Sequence, residues 1–460
     1  MAIRESDKVR ASEEGKARLR QACKEVGLTQ EKLASQAIVS IDTVKRLIGT
    51  KNNPNGVGRQ AVKNIAKVLN LKPTDIVDVK DWYPQRQFPP EFKQLIDEKT
   101  QLFCGREFVF SAIENFLQNN PNGYFTIIGD AGMGKSSIAA KYVLDNPEAI
   151  CFFNVRAEGI NHPELFLKKI RQQLIARFHL PDVADADLST LFTKAKEKLS
   201  TGERLIIVID ALNEVDQEGT ANILYLPTII PNGVYFLLTR RPYNQNEKRL
   251  NISPSISTQE LDLREKIQES IQDVKQYIRQ FLNNNKYKQG LNQWIQKQNH
   301  MSNDEFVNKI ATKSENNFMY LRCIIHAIAD GYYNDKPLDE LPIGLKGYYE
   351  NHWHLMDMTA KPLPRNKIKI VYVMCTLCSA VSGELIAKYS KQNALTVQEV
   401  LDGWAQFLHR QESHQPPRYR FYHESFRDFL HRQDLVQAAG VNLPDISAEI
   451  TESMIKNMNI

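Results

Sequence analysis

At 460 residues, with 42% apolar and 25% charged side chains, the chain has the make-up of a globular protein of roughly two to four domains. Its longest uncharged apolar run, 370–382, is too short to cross a bilayer, and the charged N-terminus shows no apolar signal segment, so no membrane span is expected and the expected location is cytoplasmic. The net charge of +5 is uneven: residues 1–80 carry 16 Lys and Arg against 9 Asp and Glu, which points that part of the chain at a polyanionic partner.

In chain order, residues 12–26 place Ala17, Leu19, Ala22 and Val26 at helical spacing, with Gly27 as the C-cap. Thr29 caps a second helix, and after the tight turn 38–40 Ser40 caps a third, 41–49. A fourth, 58–70, ends before Pro73. Helix, tight turn, helix is helix-turn-helix geometry. Residues 81–100, with three prolines and no clear period, read as a linker.

From 101 to 263, β-rich apolar runs alternate with helical stretches. The runs are 124–129, 150–155, 204–210, 234–239 and 256–261, a pattern that predicts a parallel sheet covered on both faces. Residues 264–344 read as a helical domain. Residues 345–435 read as a further mainly helical domain with a short strand, 419–423, and the last 25 residues as a tail or one more helix. Six cysteines, at 23, 104, 151, 323, 375 and 378, have no framework spacing and are expected as thiols. Cys375 and Cys378 form one CxxC in an apolar stretch. A zinc site wants a second pair, so helix packing is expected there.

Residues 129–137, GDAGMGKSS, fit the P-loop pattern in full, after an apolar strand and at the head of a helix. Gly129, Gly132 and Gly134 let successive N–H groups turn towards phosphate oxygens, and the helix start at Ser136 and Ser137 adds its dipole. Lys135 is expected on the β- and γ-phosphates, and the Ser136 hydroxyl on magnesium. Asp210 ends the apolar run RLIIVID about 75 residues later, the place of the second magnesium carboxylate, and Glu214 follows as a candidate base for an attacking water. Thr239, Arg240 and Arg241 end the next run, at the sheet edge where ligands bind in open α/β folds. A cation there can stabilise a γ-phosphate. The expected cofactors are therefore ATP or ADP with Mg²⁺.

Together these residues resemble the signal-transduction ATPases with numerous domains, within them the NACHT and NB-ARC branches, over residues 102–430. LFCGREFV (102–109) resembles the family's leading motif, which implies that Arg106 helps hold the nucleotide. IDALNEVD resembles the extended Walker B motif with Asn213 in its first acidic position, which implies slow hydrolysis. TRRP resembles the family's Thr-x-Arg sensor and favours Arg241 over Arg240. LPIGLKGYYENHW and RFYHESFRDFL resemble the opening and closing segments of a winged-helix domain, with His423 where the imidazole meets the β-phosphate of ADP. The lid domain's usual proline motif is absent from SENNFMYLRCIIHAI. The resemblance implies a switch: ADP holds a closed state, exchange for ATP opens it and permits homo-oligomerisation, and hydrolysis resets it. It also implies a C-terminal sensor array, whereas only about 25 residues follow the winged-helix segment here.

Residues 27–52 resemble the Cro and phage-repressor type of helix-turn-helix. On that resemblance the third helix enters the DNA major groove, Thr43 and Arg46 reach base edges, and Lys45, Lys51 and Arg59 meet phosphates. Ile41 and Asp42 depart from it, standing where polar base readers are expected. Two functions are carried forward, a nucleotide-switched transcriptional regulator and a NACHT-type antiphage immune sensor whose N-terminal module docks protein. A motor or chaperone is disfavoured by the switch motifs.

Overall fold

Capping residues set the limits of the first helices. In the computed structural model, which describes residues 8–52, 56–71, 73–82, 88–178, 180, 187–199, 203–244, 247–298, 301–377, 379–412 and 415–458, the chain forms two compact units, 1–93 and 94–460. In the first, β1 (Lys8–Val9) precedes α1 (Glu13–Val26), whose first turn is capped by the Ser12 hydroxyl accepting from the Gly15 N–H and whose end is closed by Gly27 at φ 68°. Thr29 caps α2 (Gln30–Gln36) through Lys32 N–H, and Ser40 caps α3 (Ile41–Ile48) through Thr43 N–H. Then β2 (Val57–Gly58) pairs antiparallel with β1, followed by α4 (Arg59–Val68) and the single turn α5 (Val79–Trp82).

Leu19, Leu33, Val44, Leu47, Val62, Ile65 and Ile76 fill the core of this unit. Only glycine fits at position 15, because a Cβ there would lie 1.9 Å from the Ile76 carbonyl oxygen. Between α2 and α3, Ile38 adopts φ 54° while 87% exposed, a conformation that is costly for a β-branched residue.

Contrary to the linker expected over 81–100, Pro90–Thr100 form a helix, α6. Pro90 is its first residue, the one helical position where the missing N–H costs nothing, and Phe92 and Ile96 are fully buried one turn apart. Pro89 and Pro90 lead into the element and do not break it, while Pro84 and the rest of 83–87 lie outside the described residues.

The second unit continues with α7 (Glu107–Asn119), β3 (Gly123–Ile128), α8 (Lys135–Asp145), β4 (Ile150–Phe153), α9 (Pro163–Phe178), α10 (Leu188–Lys198), β5 (Leu205–Asp210), β6 (Val234–Arg240) and β7 (Thr258–Asp262). The five strands form one sheet in the order β4-β5-β6-β3-β7, and every neighbouring pair is parallel. Strands β3, β4 and β6 are buried throughout, as their unbroken apolar runs require, whereas β7 is an edge strand whose first three residues are exposed. This is the α/β architecture of a P-loop NTPase core. Because β6 lies between β3 and β5, the P-loop, the Thr239–Arg241 segment and Asp210 emerge side by side at one sheet edge.

Four helices follow, α11 (Ile267–Asn283), α12 (Asn285–Gln296), α13 (Asn303–Lys313) and α14 (Phe318–Ala329). Beyond them come α15 (Gly344–Leu355), α16 (Arg365–Thr376), β8 (Val381–Ser382), α17 (Gly383–Ser390), α18 (Ala394–Gly403), β9 (Leu408–Gln411), β10 (Arg418–Phe421) and α19 (Glu424–Leu430). The strands make an antiparallel sheet in the order β8-β10-β9. The tail is helical, α20 (Gln433–Ala438) and α21 (Leu443–Met458). One apolar core runs from Val274 to Ile450 and includes Trp294, Tyr320, Tyr349 and Ile446, so the boundaries expected near 344 and 435 do not separate hydrophobic cores. Cys375 packs in it with its thiol 3.6 Å from His431 Nδ1, while Cys378 lies outside the described residues.

Candidate nucleotide-binding site

The loop between β3 and α8 turns through Gly132 and Gly134, at φ 87° and 89°, where a side chain would be strained. No atom lies within 4 Å of where a Gly134 Cβ would be, so a phosphate can approach the backbone there. Lys135 Nζ donates to the carbonyls of Gly129 (2.7 Å) and Asp130 (2.9 Å), which fixes the ammonium over the loop with one N–H uncommitted. Burial, and after it the charge of Arg241, pulls its pKa down to about 8, so a phosphate would restore the charge that burial disfavours. Ser136 and Ser137 stand in the first turn of α8, whose dipole favours an anion.

The other P-loop groups are held from outside. Three consecutive loop carbonyls accept hydrogen bonds from other elements: Ala131 from Asn317 Nδ2 (2.8 Å), Gly132 from Phe318 N–H (2.9 Å), and Met133 from Arg106 Nη2 (2.8 Å). Asn317 also caps α14 by accepting from Tyr320 N–H. Within the loop the Asp130 N–H meets Met133 Sδ (3.2 Å) and the Met133 N–H the Asp130 carbonyl (3.4 Å), while the outward carbonyls leave the Gly132 and Gly134 amides for a ligand. Arg106 is 2% exposed and sits at φ 68° ahead of α7. Its Nη1 donates to Ser270 Oγ (2.9 Å), its backbone N–H to Asp273 Oδ2 (3.1 Å), and its guanidinium lies over the Phe318 ring. The expected arginine thus ties the P-loop to α11 and α14.

Asp210 ends β5, 3% exposed, and takes a short 2.5 Å hydrogen bond from Thr239 Oγ1, which itself accepts from Ala211 N–H (2.9 Å). Burial pushes the Asp210 carboxyl up; hydrogen bonds from Thr239 and Ser136 and the charge of Lys135 pull it back. Ser136 hydroxyl beside Asp210 carboxylate is a hard-oxygen pair that suits Mg²⁺, which would supply charge neutralisation between phosphates when bound. Glu214, on the turn after β5, accepts from the Arg156 N–H (3.1 Å). Burial first, then the charges of Glu424 and Asp210, raise it to about 7, in the range of a working general base.

The two arginines of TRRP part company. Arg240 is tied to Glu260 (2.8 Å) and stacked 3.8 Å from the Tyr243 ring centroid, towards the edge strand β7. Arg241 stays on the site side: Asn213 Oδ1 accepts its N–H (3.1 Å) and its Nη1 donates to Asp428 on α19 (2.6 Å). Asn213, which departs from the acidic residue of the resembling motif, therefore fastens Arg241 to the β5 turn. His423 caps α19 by accepting the Ser425 N–H at Nδ1 (3.2 Å), which puts the ring proton on Nε2. Burial, with the charges of Lys99, Arg241, Lys135 and Arg322, holds its pKa well below the ordinary value, so the ring is a neutral Nε2–H donor among cations.

Asn317 and Lys99 were not readable as site residues, and Asn213 stood out only as a departure from the acidic motif, not as a partner of Arg241. Lys99, in the segment expected as linker, lies 5.5 Å from the Tyr422 ring centroid, and its charge bears on both Asp210 and His423. A polar residue before an apolar helical run signals the Asn317 cap; nothing local signals its P-loop contact.

In the first unit, Thr43 shares a hydrogen bond with Ser40 (2.9 Å), and Lys45 and Arg46 lie part-exposed on α3. Lys51 is paired with Asp42 (2.6 Å). Arg59 is engaged with the carbonyls of Trp82 and Asp81 and lies over the Trp82 ring. A groove of about 310 Å³ is lined by Arg10, Lys16, Arg46 and Lys51. Among the described residues, no helix is long and apolar enough to cross a membrane.

No protein-family model and no curated protein matches this sequence. Solved structures similar to it include a Signal Transduction ATPase with Numerous Domains protein with a tetratricopeptide repeat sensor from Pyrococcus horikoshii, at 16% identity and a TM-score of 0.37, covering 77% of this chain and 48% of that one. Another is Cdc6p from Pyrobaculum aerophilum, at 12% identity and a TM-score of 0.29, covering 81% of this chain and 96% of that one. The chain thus spans about half the length of the Pyrococcus protein.

Proposed function

We propose that the chain is an ATP/ADP-controlled switch whose second unit binds Mg²⁺-nucleotide and whose first unit is a helix-turn-helix that binds DNA. The observation that carries the switch is that α19 meets the sheet edge through charged groups. His423 heads that helix as a neutral donor in the field of Lys135, and Asp428 five residues on holds Arg241. A diphosphate on the P-loop would take the His423 Nε2–H and keep the β8–β10 module, read as the winged helix, against the core. A triphosphate would favour an opened form able to self-associate. This is a population shift driven by unequal affinity for two nucleotides. Lys135, Ser136 and Asp210 hold the phosphates and metal, Glu214 activates water, and turnover is slow.

The DNA reading is supported by the short capped helices α2 and α3 and by the basic groove at Arg10, Lys16, Arg46 and Lys51. Thr43, Lys45 and Arg46 are its contact residues, and Lys51 joins them once released from Asp42. Arg59 is engaged internally and supports the fold of the unit. Docking of a protein partner, as in an immune sensor, is the second reading, favoured by Ile38, an exposed apolar residue at the tip of the turn. Duplex DNA titrated at two salt concentrations, with Mg-ADP and with a non-hydrolysable ATP analogue, separates them. DNA binding that weakens steeply with salt and differs between the nucleotides is expected. Absence of salt-dependent binding with either nucleotide would leave the protein-docking reading.

A further inference from the structure

Arg241 leaves the end of β6 between the P-loop strand and the Asp210 strand, and its charge is felt at Lys135. A cation placed there is positioned to meet the third phosphate of a nucleotide whose first two lie on the loop. Its guanidinium is already engaged, since Nη1 donates to Asp428 Oδ2 at 2.6 Å. Among the described residues neither partner has a second ion pair. Both keep partial contact with solvent, at 27% and 46% exposure, so the pair is screened and can be exchanged for a competing anion. A carboxylate carries one negative charge and a terminal phosphate closer to two, and the planar guanidinium suits either.

We propose that Asp428 is a specificity-determining residue that sets the preference of the site for diphosphate over triphosphate. In the form described here Asp428 occupies the cation that a γ-phosphate needs, while His423, on the same helix, remains free to meet a β-phosphate. A diphosphate therefore binds without disturbing α19, and a triphosphate must take Arg241 from Asp428. That exchange removes one of the ion pairs that fasten α19 to the core, leaving Arg156–Glu424, and so couples the terminal phosphate to the hold on the β8–β10 module. The proposal rests on the nucleotide-switch reading and adds the residue that distinguishes the two ligands.

The test is titration calorimetry of the full chain with Mg-ADP and with the β,γ-imido analogue of ATP, comparing the ratio of the two affinities. Asp428→Asn is expected to raise triphosphate affinity relative to diphosphate by roughly tenfold, the ordinary size of such a coupling. In an Arg241→Ala background the same substitution should lose most of that effect, because the cation contested by the two anions is gone. A ratio unchanged by Asp428→Asn, or shifted equally with and without Arg241, overturns the proposal. Wild-type protein that binds neither nucleotide overturns the switch reading itself, so the two failures are told apart.

Discussion

The hydroxyl of Thr239 accepts the Ala211 amide and donates to Asp210, so one side chain fixes both the orientation of the Asp210 carboxylate and the turn that carries Glu214. That turn places Glu214 where burial and neighbouring carboxylates raise its pKa to about 7. Below that pH the group is protonated and cannot accept a proton from water; above it the base is present. ATP hydrolysis should therefore rise with pH through about 7 and level off, and Glu214→Gln should lower it by roughly 10²–10⁴-fold while ADP still binds. Steady-state phosphate release across pH checks this, and a Gln variant with the wild-type rate and profile would remove Glu214 from the mechanism. The P-loop glycines, Lys135 and Asp210 were legible in the sequence because a strand, a turn and a helix start are local signals. Asn317 and Lys99 were not, because each reaches the site from another element.

At the scale of elements, the P-loop is held as much by α11 and α14 as by its own sheet. Arg106 spans them, buried, with Asp273, Ser270 and the Met133 carbonyl as partners. Arg106→Ala would leave the Asp273 carboxylate, whose side chain is 8% exposed, without its cation. Removing one partner of a buried pair costs about 3–5 kcal/mol. A correspondingly lower urea midpoint is expected, partly recovered by adding Asp273→Ala, and an unchanged midpoint would show that the clamp contributes nothing. The strands of the core sheet were readable to within two residues at each end, most clearly where buried parallel strands are unbroken apolar runs. Helix α6 was missed because Pro89 and Pro90 read as breakers when they stand at a helix start, and β8 because a two-residue strand has no period to detect.

Across the second unit, apolar and polar contacts are unequally distributed. Helices α11 to α21 share one hydrophobic core, whereas the segment around β10 and α19 meets the P-loop sheet through the ion pairs Arg241–Asp428, Arg156–Glu424 and Arg420–Glu158. Part-exposed pairs of this kind are worth about 0–1 kcal/mol each, so ligand preference of a few kcal/mol suffices to exchange them. Periodicity in the sequence suggested separate domains after residue 263. It could not show that their apolar faces are buried against one another, because which helices meet is a property of the whole chain. On the switch reading the resting site holds a diphosphate through the P-loop. Its most direct test is the nucleotide released on denaturing freshly purified wild-type and Lys135→Ala protein. Stoichiometric ADP in the wild type and none in the variant is the predicted result; an empty wild-type site that turns over added ATP rapidly would contradict it.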